Sequence, residues 1–227
     1  VQELTRRRLA GEPVAYITGA WEFYGLPMKV TPDVLIPRMD TELLVTTAKE
    51  LLLGRKMDAR ILDLCCGSGC IACALGHELP ATKLVAVDIS ANALEIAREN
   101  FASNRLGSRA ICIQADATSS PPMSIGQFDM IVSNPPYIAS AEIMTLDASV
   151  RDYEPIWALD GGEDGYRFYK AIIKYWKSLL RPGGFLLFEV GEGQAATVKD
   201  MLSSAGFRAV GSRLDTLNIE RVVIGKM

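Results

Sequence analysis

The stretch IVSNPPYI, residues 131–138, places an asparagine, two prolines and a tyrosine directly after a run of apolar residues. That combination suits one kind of chemistry. The nitrogen of an amide or an aromatic amine is a poor nucleophile because its lone pair is delocalised into the adjacent π-system. A site that accepts hydrogen bonds from both of its N–H groups, through the Asn134 side-chain oxygen and the Pro135 carbonyl, localises that lone pair toward an electrophile. Proline fixes its own φ and restricts the residue before it, so the pair holds these acceptors rigid. Acceptors already in place need no reorganisation during the reaction. Tyr137 would supply a flat wall against the planar group. An ordinary Pro-rich turn would leave unexplained why an asparagine stands at this strand end.

Other polar residues fall at the ends of apolar runs. Asp63, Gly67 and Gly69 have the spacing D-x-x-x-G-x-G, and the glycines let the backbone turn tightly and approach a ligand. Asp88 ends VAVD, twenty-one residues beyond Gly67, placed to accept hydrogen bonds from the two hydroxyls of a ribose. Asp116, in IQADA, could take an adenine amino group. Each acid alone also reads as a helix cap or turn residue; three at successive strand ends are harder to explain that way. The loop lacks the G-x-G-x-x-G of a nicotinamide site. CGSGCIAC also satisfies C-x-x-x-C-x-x-C, the cluster spacing of radical S-adenosylmethionine enzymes. Against that, Cys70 and Cys73 fall on a helix, Ala72 stands where that family usually has an aromatic, and buried cysteine packs as a small apolar residue. The cysteines and the lone His77 therefore read as structural, and no metal site is expected.

These residues need a scaffold that brings strand ends together. From Arg60 onward, short runs rich in β-branched residues alternate with helical segments, the pattern of an α/β, doubly wound, mostly parallel sheet. Ligands bind such sheets beyond the carboxyl ends of the strands, where strand order reverses. Ser90 is placed to cap ANALEIAREN, and Pro182-Gly183-Gly184 to halt a long helix beginning near Gly165. Upstream, β-formers mixed with Gly and Pro turns suggest a short β-hairpin over residues 13–36, leaving 37–227 as the catalytic domain. The chain opens on Val1 in a charged amphipathic stretch, so residues 1–12 read as the remnant of a linker from an upstream segment.

D-x-x-x-G-x-G with an acid ending the second strand resembles the S-adenosylmethionine methyltransferases from about Arg60 to the end. The wider set GEPVAYITGAWEFYGLPMKVTPDVLIPRMDTE, ILDLCCGSG, IVSNPPYI and RDYEPIWALDGGEDGYRFY resembles the HemK/PrmC family of protein-(glutamine-N5) methyltransferases. The resemblance implies a seven-stranded, Rossmann-like class I domain, S-adenosylmethionine as cofactor, and as substrate the glutamine of the Gly-Gly-Gln loop in peptide chain release factors. It implies a small helical N-terminal domain. It also implies cofactor contacts from Cys65, Cys66, Gly67, Ser68, Gly69, Asp88, Asp116, Ala117 and Asn134, and that Asn134, Pro135, Pro136 and Tyr137 hold the glutamine. Three residues depart from the family pattern: Cys65 replaces the first glycine of the loop, Ala117 stands where some members carry an aromatic, and Met39 replaces a proline. Arg38, Thr41 and Glu42 keep it, and the segment reads equally as helix capping by Asp40 or Thr41 and as part of the cleft closure.

Composition limits the alternatives. At 227 residues and 49% hydrophobic content, one large domain is expected. A formal net charge of -3 disfavours a nucleic-acid partner, which usually demands a basic excess, and Arg6 to Arg8 read as a solvated helix end. This disfavours the main rival, an adenine-N6 or guanine-N2 nucleic-acid methyltransferase. A non-catalytic scaffold would have no need of both the NPPY turn and the acids. With no membrane-length apolar run and clustered cysteines, five in all, the expectation is a soluble, cytoplasmic monomer without a membrane partner.

Overall fold

The structure is a computed structural model that describes residues 2–53 and 58–227. Val1, the first residue of the expected 1–12 segment, lies outside them. Helix α1 (Gln2–Leu9) buries none of its residues. Strands β1 (Ala20–Phe23) and β2 (Leu26–Lys29) form an antiparallel hairpin. Its turn residues Tyr24 and Gly25 both have positive φ, 54° and 73°, the combination whose twist matches that of the flanking strands. The hairpin is shorter than the expected 13–36. Val14–Thr18 is instead a helix, α2, ended by Gly19 in the left-handed region. Beyond β2 the chain forms a strap that buries Val30, Val34 and Ile36 against Ala93 and Ile96.

Helix α3 (Glu42–Leu52) leads into a seven-stranded sheet. Its strands are β3 (Arg60–Leu64), β4 (Lys83–Asp88), β5 (Ala110–Gln114), β6 (Phe128–Ser133), β7 (Leu180–Glu189), β8 (Arg208–Leu214) and β9 (Glu220–Lys226), in the order β5-β4-β3-β6-β7-β9-β8. Strands β3 to β7 are parallel, and β9 runs antiparallel to both β7 and β8. The mostly parallel, doubly wound arrangement read from the sequence is the one found.

Side-chain alternation splits the core in two. Ile61, Leu84, Ala86, Met130 and Val132 face α3, α4 (Cys70–Glu78) and α5 (Ala91–Ser103). Leu62, Leu64, Val85, Val87 and Ile131 face α7 (Arg167–Tyr175) and α8 (Ala195–Ser204); the short α6 (Ala148–Arg151) lies in the connection after β6. Each such large aliphatic residue contributes about 1.5–3 kcal/mol by leaving water, and the two layers lock the strand ends in place. Ser90 caps α5 as expected, accepting the Ala93 N–H at 3.2 Å.

The long helix near Gly165 is shorter than expected. Helix α7 stops at Tyr175 and a 3-10 turn follows at Lys177–Leu179. At the stop, fully buried Trp176 donates its indole N–H to the Ala117 carbonyl at 3.0 Å. Pro182-Gly183-Gly184 lies inside β7, where pairing to β6 jumps from Phe128↔Leu180 to Met130↔Phe185; it makes a bulge rather than a helix stop.

Gly76 in α4 shows how tightly the layers fit. A Cβ there would meet Leu106 Cδ2 at 2.6 Å and Leu84 Cδ1 at 2.7 Å, and both leucines are buried. Alanine gains about 1 kcal/mol of helix propensity, but overpacking a tight core costs about 1–3 kcal/mol. Gly76→Ala is expected to lower the denaturant midpoint at unchanged slope; an increase would mean the leucines yield freely.

Candidate active site

Strand order reverses between β3 and β6: the chain runs outward through β3, β4 and β5, then returns to the other side of β3. The connections after β3 and β6 leave on opposite faces, so their carboxyl ends part and open a crevice. A cavity of about 390 Å³ lies there, within the size range of small-molecule sites. Cys65, Cys66, Gly67, Ser68, Asp88, Asp116, Ala117, Asn134 and Pro136 line it. Gly69, Pro135 and Tyr137 are not among the lining residues.

The loop after β3 is built on positive φ. Cys65 has φ 60°, Gly67 51° and Gly69 75°, so Cys65 occupies a left-handed position that favours glycine. Asp88 anchors the loop: one carboxylate oxygen accepts the Gly67 N–H at 2.9 Å and the other the Ser90 N–H at 2.9 Å. Each oxygen keeps lone-pair capacity for a ligand hydroxyl. Burial raises the Asp88 pKa, opposed by its backbone hydrogen bonds. Ser68 is buried with its hydroxyl unpaired. Gly69 has a structural task instead, because its N–H bonds the Cys66 carbonyl at 2.8 Å and a Cβ would fall 2.8 Å from the Phe101 ring.

Asp116 forms a local turn, accepting the Thr118 N–H and hydroxyl, both at 2.7 Å. Burial pushes its pKa up, but these bonds, the Ser119 hydroxyl and Arg167 bring it below the ordinary value. Cys66, Cys70 and Cys73 are buried in the core layer around α4. Burial pushes the Cys65 and Cys66 thiols well above their usual pKa and Cys70 up to about 12.

Asn134 stands just beyond β6, and the Ser133 hydroxyl below it donates to the Leu64 carbonyl at 2.8 Å, tying the two strand ends. The Asn134 amide nitrogen donates to Thr41 Oγ1 at 3.2 Å. Asp40 and Thr41 lie in the 3-10 turn Met39–Thr41 before α3, and Thr41 makes no side-chain capping bond to that helix; Thr41 is buried and lines the cavity. Tyr137 turns away from the cleft and packs with the apolar layer beneath α7, its ring against Gly191. The expected flat wall is therefore not where Tyr137 sits. Its carbonyl accepts the Gln194 side chain at 2.9 Å, and any Cβ on Gly161 or Gly165 would fall within 2.8 Å of the Tyr137 backbone. The turn is braced from both sides.

Arg38, from the segment read as part of the cleft closure, lines the cavity. Several other lining residues were not singled out from the sequence: Val34 and Pro37 come from the strap, Ile156 and Trp157 from the connection after α6, and Arg167 from the start of α7. Buried Glu154 holds the strap, accepting the Ile36 N–H at 3.1 Å and pairing with Arg38. A carboxylate in RDYEP was the available signal, but only contact with Arg38 gives it meaning.

Residues 39–149 match the family described as Methyltransferase small domain. A release factor glutamine methyltransferase of Geobacter sulfurreducens is 44% identical over 99% of this chain and 76% of its own length. One of Thermodesulfovibrio yellowstonii is 39% identical over 99% of this chain and 80% of its own length. Among solved structures, the hMettl16 catalytic domain in complex with an RNA hairpin of the MAT2A 3'UTR superposes with a TM-score of 0.71 at 19% identity, covering 89% of this chain and 76% of that one. A methyltransferase from Pyrococcus furiosus gives 0.61 at 16% identity over 100% and 98%. At such identities the likeness is one of fold, a class I methyltransferase fold.

Asp63, read from the sequence as a strand-end acid, lies inside β3, fully buried and away from the cleft. One oxygen accepts the Ala72 N–H at the start of α4 at 3.1 Å, and the other has no partner. Burial raises its pKa to about 8. The folded protein therefore keeps a proton that the unfolded chain releases, and stability falls as pH rises from the ordinary carboxylate range through about 8. Asp63→Asn is expected to flatten that decline. Unfolding curves at stepped pH check this, and equal slopes in both proteins would contradict it.

Proposed function

We propose, since this chain belongs to the release factor glutamine methyltransferase family, that it methylates N5 of the glutamine in the Gly-Gly-Gln loop of a peptide chain release factor. One observation carries the reading. Asn134 sits at the strand reversal with its amide nitrogen committed to Thr41, which leaves its oxygen as an acceptor at the cleft.

The residues present fit S-adenosylmethionine. An anchored carboxylate at Asp88, a glycine turn at Gly67 and an unpaired buried hydroxyl at Ser68 line one cavity with Asp116 and Ala117. Cys65, Cys66 and Asn134 complete the set. The bound cofactor supplies a methyl group made electrophilic by sulfonium charge. Asn134 Oδ1 and the Pro135 carbonyl accept the two N–H bonds of the substrate amide, drawing its lone pair out of conjugation. Pro135 and Pro136, both buried, keep those acceptors fixed, and once the nitrogen has gained the methyl group its extra proton passes to water. Tyr137 acts through its backbone and packing rather than as a wall. The exposed α1, joined to the body by the Tyr153 hydroxyl donating to the Ala10 carbonyl at 2.7 Å, supports reading residues 1–12 as a linker.

Two variants test the assignment. Asp88→Ala removes two ribose hydrogen bonds and frees the loop; calorimetry is expected to show cofactor affinity falling roughly 10- to 150-fold. Asn134→Ala is expected to lower turnover about a hundredfold or more, with the fold intact. The assay is mass spectrometry of a Gly-Gly-Gln domain, with an adenine-containing oligonucleotide in parallel. Methylation of adenine and not of glutamine would overturn the proposal.

A further inference from the structure

We propose that Glu189, at the carboxyl end of β7, is a positioning residue that, with the Thr41 hydroxyl, holds the Asn134 amide with its oxygen toward the cleft. The proposal rests on the function above for the reaction it serves, and on the strand register and the Asn134–Thr41 bond for the placement of Glu189.

The two ends of an amide have nearly the same shape, so only polar neighbours decide which way it points. Asn134 donates its N–H to Thr41 Oγ1, and the Thr41 proton must then find another acceptor. An ionised carboxylate accepts and never donates. Glu189 is 2% exposed and its Oε2 has no hydrogen-bond partner. It follows Phe188, which pairs with Ser133 just before Asn134, so the two strand ends set Glu189 beside Asn134, and both the Thr41 hydroxyl and the Asn134 amide favour its ionised form. An acceptor-only group on this side draws the amide N–H toward itself and leaves Oδ1 for the substrate.

The surroundings do not supply a structural reason for the acid. Of the charged groups around it, Asp40 disfavours its ionisation and Arg221 favours it. Arg221, however, is bound by Asp215 at 2.9 Å and approaches Asp40 at 3.7 Å. Tyr137, Tyr169 and Cys70 are further titratable neighbours. A buried carboxyl with an unpaired oxygen costs stability. Burial, the largest influence, lifts its pKa to about 7, against the pull of Thr41, Arg221 and Asn134. Below that pH the group carries a proton to donate, which suits the flipped amide and withdraws Oδ1 from the cleft.

Glu189→Met and Glu189→Gln test this in the full chain. For Glu189→Met, kcat on the Gly-Gly-Gln domain is expected to fall on the order of tenfold or more, with KM, affinity for the demethylated cofactor and Tm at pH 8 undiminished. Glu189→Gln, which retains an acceptor, is expected to recover part of kcat and to lose the rise in kcat through about pH 7. An unchanged kcat in Glu189→Met, or a loss matched by lower Tm or weaker binding, would overturn the proposal. A second measurement does not depend on the substrate. NMR titration of the labelled Glu189 carboxyl is expected to show a higher pKa in Thr41→Val and in Asn134→Ala than in the wild type, because each removes a donor. If neither variant moves it, the contact is wrong. If the wild type leaves glutamine unmodified while both variants shift the titration, the contact stands and the proposed reaction fails.

Discussion

The reversal of strand order between β3 and β6 is the constraint on which the site depends. Consecutive parallel strands wound in one direction send their helices to the same face and cover their own ends. Here α4 leaves β3 toward one core layer while the chain after β6 reaches α7 in the other. The gap between them is left open, and the Ser133–Leu64 bond fixes its floor. The glycine loop and Asn134 then face one cavity because they follow the two strands flanking that gap.

Rigidity around the gap comes from outside the sheet. The strap after β2 is held by Glu154, a buried carboxylate that takes a backbone N–H and an arginine together. The NPPY turn is gripped by the glycines at 161 and 165 and by Gln194, which in turn accepts the Tyr169 hydroxyl at 3.2 Å. Contacts of this kind immobilise the turn without occupying the cavity. The same economy explains why Tyr137 faces the core: its backbone is the part held in place, and its ring adds weight to the packing beneath.

The architecture was legible in the sequence because the strands carry near-continuous apolar runs, and the ends of those runs mark the cleft. Asp88, Gly67 and Asn134 follow from that directly. Asp63 was misplaced because a strand-end acid and one lying a residue deeper look alike in a linear pattern; only the fold shows its carboxylate turned onto α4. Pro182-Gly183-Gly184 was read as a helix stop because those residues punctuate helices far more often than they make bulges, and tertiary packing at Trp176 had already ended α7. Val14–Thr18 is β-rich in composition yet helical, its tyrosine hydroxyl bonded to Val34 at 2.7 Å. Thr41 was left between helix capping and cleft closure, and Glu189 was invisible as a site residue, because the meaning of both lies in partners far away along the chain.

Three thiols, those of Cys65, Cys66 and Cys70, line the same cavity in which an alkylating cofactor would rest. A thiolate there would be the strongest nucleophile in reach and a ready target for the methyl group. Burial raises the cost of ionising each of them, and a protonated sulfur is a feeble competitor. The burial that keeps these thiols protonated would thus also keep them from competing for the methyl group.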